Sequence, residues 1–89
     1  MVWCQFHIME DMSEFKPRFN GDNNIIGVGK FLGSKITKEK PEIGYYYYKD
    51  KRTKRYKVIN VVYDYELSRA EGIECYHIQL LRDWNYTNK

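Results

Sequence analysis

The sequence predicts a mainly β domain, a small antiparallel sheet or partly closed barrel of about five strands. Three observations predict it. Val2, Cys4, Phe6 and Ile8 alternate with Trp3, Gln5, His7 and Met9, the two-residue period of a half-buried strand. Val58, Ile59, Val61, Val62 and Tyr63 form the most β-prone run in the chain. The apolar stretch Ile25 to Ile36 is interrupted by Gly27, Gly29 and Gly33. Glycines at that density suit a bent strand and would each cost a helix about 1 kcal/mol relative to alanine. Strands are expected near residues 2–9, 25–36, 43–49, 55–66 and 73–81.

Between the first two strands the pattern lapses. Glu10, Asp11 and Glu14 are acidic, Pro17 breaks a helix, and Asn20-Gly21-Asp22-Asn23-Asn24 is a run of turn formers. Phe15 and Phe19 are expected to pin this loop to the core, with a single helical turn near Ser13. Lys38 to Pro41 reads as a linker. Asp50-Lys51-Arg52-Thr53 then supplies the Asp-first chemistry of a type I turn, which joins the third and fourth strands as a hairpin. The last segment admits two readings. As a strand, it places Tyr76, Ile78 and Leu80 on one face and Cys75, His77 and Leu81 on the other. As a helix over residues 69–84, Ser68-Arg69-Ala70-Glu71 is its capping box and Ile73, Tyr76, His77, Leu80, Leu81 and Trp84 form one stripe. Gly72 in the first turn favours the strand. The alternative gives an α+β fold with a C-terminal helix on a four-stranded antiparallel sheet.

At 89 residues the chain is read as one domain, 1–89. A domain of this size buries only roughly 60% of the surface its unfolded form exposes, so each core position matters. With 43% apolar and 17% aromatic residues, it has the means to fold. Cys4 and Cys75 are too few for a disulfide framework. No basic segment leads into an apolar core at the N-terminus, and no apolar run reaches membrane-spanning length. The expectation is a cytoplasmic protein with reduced thiols, no membrane partner and no cofactor.

The charge is local. Residues 49–57 hold Lys49, Lys51, Arg52, Lys54, Arg55 and Lys57 against Asp50, +5 in a chain of +3, which leaves −2 elsewhere. Four tyrosines, Tyr45 to Tyr48, precede this tip. By strand parity Ile43, Tyr45 and Tyr47 should face inward, and Tyr46 and Tyr48 outward. The partner-binding set is therefore Tyr46, Tyr48, Lys49, Lys51, Arg52, Lys54, Arg55 and Lys57. Such a tip could grip an acidic protein surface, or a phosphate backbone with a tyrosine stacked on a base. Equally, charges at a hairpin tip serve to block edge-to-edge aggregation.

Four residues invite a metal reading. Cys4, His7, Cys75 and His77 are the chain's only cysteines and histidines, and four such ligands could make a tetrahedral zinc site. The spacing opposes it, because Cys4 and His7 project to opposite faces of an extended strand. The same geometry makes Cys75 and His77 parallel neighbours on a strand, not a nucleophile and its base. Two other patterns do not hold. Gly27-Val28-Gly29-Lys30-Phe31-Leu32-Gly33 places its third glycine one position late for a dinucleotide loop and belongs to no βαβ unit. Val62-Tyr63-Asp64-Tyr65-Glu66 resembles the signature that opens SH3 domains, yet only 24 residues follow Tyr65 and the family's tryptophan pair is missing. Asp64, Glu66, Glu71 and Glu74 read as solvated acids near a turn.

The expectation is a small non-catalytic interaction protein that docks on a macromolecule through the basic, tyrosine-flanked hairpin. A protein partner is favoured over nucleic acid, and an unpaired edge strand could also make a dimer. This is the character of accessory or inhibitor proteins that mobile genetic elements encode. Nucleic-acid binding by the same tip is the alternative. A small ribonuclease is the third reading, weakened because residues 10–37 show no pair of helices.

Overall fold

The N-terminal alternation produces β1 (Val2–Met9), whose even-numbered residues Val2 to Ile8 are buried on one face. The structure is a computed structural model that describes residues 1–11, 13, 18–19, 25–26, 30–50 and 54–86, with backbone alone at 18–19, 25–26 and 48–50. After β1 come β2 (Arg18–Phe19) and β3 (Ile25–Ile26), which pair with each other, and then β4 (Lys30–Thr37). The long second strand expected over 25–36 is thus two elements, β3 and β4. The expected anchoring by Phe15 lies outside the described residues, as does the side chain of Phe19. β5 (Tyr46–Asp50) and β6 (Lys54–Tyr63) form the expected hairpin, although Lys51 to Thr53 at its bend also lie outside them.

The last segment is a strand, β7 (Glu74–Arg82), so the C-terminal helix over 69–84 is excluded. A short helix does exist just before it, α1 (Tyr65–Glu71). Its cap is Asp64, not Ser68: the Asp64 carboxylate accepts the Leu67 amide at 3.0 Å. Gly72, which seemed to oppose a helix, ends this one. It sits at φ 72° and donates its amide to the Ser68 carbonyl, the left-handed stop that glycine adopts without strain.

The five longer strands form one sheet in the order β4-β1-β7-β6-β5. Three of its four pairings are antiparallel, but β1 and β7 run parallel from Val2↔Glu74 to Met9↔Leu81. The expected mainly β, partly closed sheet of five strands is met, with β1–β7 as a parallel pairing that the expectation did not include. Local patterns report which residues alternate, not which strand lies alongside; a parallel pair needs a long connection, here the whole intervening chain. The two ends of the protein therefore meet at its centre. Ile78 and Leu80 on one face of β7 and Cys75 and Gln79 on the other are all buried, as a central strand covered on both faces requires.

The sheet curls into a half-barrel. Phe6 on β1 and Tyr47 on β5 stand three strand spacings apart, about 14 Å in a flat sheet. Their ring centroids are 5.5 Å apart. The concave side holds the core: Val2, Cys4, Phe6, Ile8, Tyr56, Val58, Ile78 and Leu80. Shifts of register that leave Leu32 on β4 and Ile59 on β6 as the extra residues add local twist to those two strands. No helix among the described residues is long and apolar enough to cross a membrane.

Candidate functional site

The hairpin delivers its aromatic residues to two different surfaces. Tyr47 opposes Tyr56 and leans on Phe6 inside the curl. Tyr45 shares that parity and its carbonyl accepts the Val58 amide at 2.7 Å, yet it is 61% exposed. Ile43, at 64%, precedes the Gly44 turn at φ 98° and lies outside the strand. Inward burial of Ile43 and Tyr45 is therefore corrected. Parity sets direction, but the half-barrel is open where Tyr45 arrives, so nothing covers the ring among the described residues.

That opening is a cleft of about 300 Å³ between the two sheet edges. Phe6 and Val58 form its floor, Tyr45 and Tyr47 one wall, and Lys35 and Lys40 the opposite rim. No sequence signal marks it, because it is made by strands that only the curl brings face to face.

On the outer surface, Tyr46 is 47% exposed and carries the Arg55 guanidinium on its ring, 4.0 Å from the centroid. Tyr86 covers the guanidinium's other side at 4.6 Å. Asp83 holds Arg55 in place, accepting from its Nε at 3.0 Å and from its Nη2. The Arg55 bonds to Asp83 keep that carboxyl below the usual carboxylate range. So Arg55 and Tyr46, both expected to meet a partner, are built into a stack that ties β6 to the chain after β7. Lys54 and Lys57 are exposed beside it, with Lys57 directly opposite Tyr46 in register. Tyr48 and Lys49 lie in β5 by backbone, with side chains outside the described residues, as are Lys51 and Arg52 altogether.

The cysteine and histidine set divides between faces. Cys4 is buried in the concave core with its thiol 3.6 Å from the Thr37 hydroxyl, and burial pushes its pKa up. Cys75 is buried on the other face and donates to the Ile73 carbonyl at 3.3 Å, its thiol likewise raised by burial. Both therefore behave as small hydrophobes. The two histidines, by contrast, meet. His7 Nε2 lies 3.1 Å from His77 Nδ1, and His77 Nε2 lies 2.8 Å from Asp64 Oδ2. Burial raises the Asp64 pKa, but the Leu67 amide and His77 outweigh it and hold the carboxyl below its ordinary range. An ionised Asp64 can only accept, so the hydrogen of that bond is on His77 Nε2; in the tautomer with its one ring hydrogen there, Nδ1 accepts from His7 Nε2–H.

Residue spacing could not reveal this chain, because it joins β1, the β6–α1 junction and β7. Next to it, Asn60 donates to Gln79 Oε1 at 3.1 Å, while the buried Gln79 Nε2 has no hydrogen-bond partner among the described residues. Among those residues no group of three or more His, Cys, Asp and Glu side chains is placed to share a metal ion. The four-residue zinc arrangement is thus not assembled. Comparison of the chain with protein-family models, with curated proteins and with solved structures finds no match.

Proposed function

We propose that this is a non-catalytic interaction protein that docks a macromolecular partner, a protein with an acidic surface, at the β5–β6 hairpin and its neighbouring cleft. One observation carries the reading. Exposed Tyr45 and Tyr46 line an apolar-floored cleft with Lys35, Glu39 and Lys40 at its rim, and Lys54 and Lys57 are exposed on the hairpin outside it. Tyrosine and arginine dominate binding energy at protein interfaces, and the Tyr46–Arg55–Tyr86 stack is already ordered before a partner arrives. The free thiols of Cys4 and Cys75, on opposite faces of the sheet, support a cytoplasmic setting.

The test is capture from nuclease-treated lysate, followed by direct binding with the purified partner. A nuclease-resistant partner whose affinity falls at least about tenfold with Tyr45→Ser/Lys54→Glu/Lys57→Glu supports the reading. A partner indifferent to those changes rejects this surface. Capture that disappears with nuclease, together with retention on nucleic acid that falls steeply with salt, rejects the protein partner in favour of the nucleic-acid reading.

A further inference from the structure

We infer that His7 and His77 form an open seat for a divalent transition metal ion of the nickel, copper and zinc type, with Asp64 positioning His77 as a ligand. The seat differs from the four-residue set that the sequence suggests, since it uses neither cysteine.

Its geometry is already close. His7 Nε2 and His77 Nδ1 face each other at 3.1 Å. Two imidazole nitrogens bound at 2.0–2.1 Å to one tetrahedral ion stand about 3.3 Å apart. The rings, whose planes differ by 39°, need open by only a few tenths of an ångström and turn their lone pairs to a point off the line between them. Binding needs a lone pair on His7 Nε2, so the ring hydrogen of His7 moves to its Nδ1 as the metal takes the place of the hydrogen bond.

The outer contact is the stronger argument. A metal-bound histidine commonly donates its second ring N–H to a carboxylate, which fixes the tautomer and raises the basicity of the ligating nitrogen. His77 has that arrangement: Nε2–H is held by Asp64 at 2.8 Å and Nδ1 is left to bind. Asp64 is itself fixed, since its other oxygen caps α1 through the Leu67 amide. His77 is only 8% exposed and sits on the central strand, while the half-buried His7 is on the neighbouring one. Imidazole pairs suit nickel, copper and zinc, with water completing the coordination.

The composition makes the test clean, because the chain has 2 histidines and both are in the seat. Isothermal titration of the untagged full chain with Ni²⁺ and Zn²⁺ near neutral pH is expected to show one site. Either His7→Ala or His77→Ala should weaken it at least about tenfold, and Asp64→Asn by about tenfold to a hundredfold. Thermal melts of each variant separate lost ligands from lost fold. A second measurement needs no variant: Ni²⁺ should broaden the imidazole resonances of both histidines together, before any other signal. Absence of a site in the wild-type chain, an affinity unchanged in the double alanine variant, or broadening centred elsewhere would each overturn the assignment.

Discussion

The two faces of the central strand pair, β1 and β7, are stabilised by different physics. On the concave face Cys4, Phe6 and Ile8 meet Ile78 and Leu80, and the contacts are apolar throughout. On the outer face the same two strands bring His7, His77 and Gln79 together, partnered by Asp64 and Asn60. The first face is held mainly by area removed from water, with the Arg82–Glu10 ion pair and the Tyr56 hydroxyl bond to Glu10 at its end. The second is held by directed bonds, each of which depends on a protonation state or an exact neighbour. One sheet therefore carries an apolar core next to a polar seam whose bonds depend on protonation state.

The largest effects belong to the concave face. Ile78→Ala and Leu80→Ala should each cost about 2–5 kcal/mol, since both side chains are fully buried on the central strand and their removal leaves a cavity. Urea denaturation followed by tryptophan fluorescence measures the loss. Its size should be the same at pH 5 and pH 7, and a pH-dependent loss would contradict the division between faces.

Asp64 breaks the outer face. Asp64→Ala removes the α1 cap and the His77 partner together and should cost about 2 kcal/mol. Asp64→Asn can still cap and loses only the charge on the His77 bond, about 1 kcal/mol. The pH dependence follows from the direction of the shift. The folded-state value lies below the ordinary 3.8, so the contribution of ionised Asp64 is complete above that value and fades as pH falls through the lowered one. The stability gap between wild type and Asp64→Asn should accordingly hold from neutral pH to about 4 and close below it. A gap that persists in stronger acid would mean that the carboxylate is not the form that the fold uses.

The two faces also differ in how far the sequence reveals them. The apolar face is legible on β1 because alternation is local: Val2 to Ile8 show their buried side through residue identity alone, whereas the last segment fits a strand or a helix and is buried on both faces. The direction of Tyr47 followed from parity, and the β5–β6 hairpin from Asp50 and its flanking strands. What parity could not supply was curvature, which leaves Tyr45 exposed while Tyr47 reaches Phe6. Nor could it supply adjacency. The parallel pairing of β1 with β7 joins residues some 70 positions apart, and the His7–His77 contact exists only because of it. Asp64 was read as a solvated acid near a turn because its two bonds, to Leu67 and to His77, arise from a helix whose glycine stop looked like evidence against any helix. The basic tip misled in a similar way: a charge count cannot show that Arg55 is held by Asp83.

Arg55 tests the comparison at its weakest point, the periphery of the sheet, where directed bonds are shared with water. Arg55→Lys keeps the positive charge but loses the planar group that stacks between Tyr46 and Tyr86 and the Nε bond to Asp83. Partly exposed ion pairs and cation–π contacts are each worth about 1 kcal/mol or less, so the change in unfolding free energy should not exceed about 1 kcal/mol. The structural effect should be sharper than the energetic one. Without the stack, Tyr86 loses a principal hold on β6, so amide exchange at Asp83 to Tyr86 should accelerate while exchange at Ile78 and Leu80 stays unchanged. A loss of several kcal/mol with faster exchange at Ile78 would make this outer stack part of the core. Unchanged exchange at both places would show that the Asp83 amide's bond to the Arg55 carbonyl, at 2.8 Å, suffices to hold the segment.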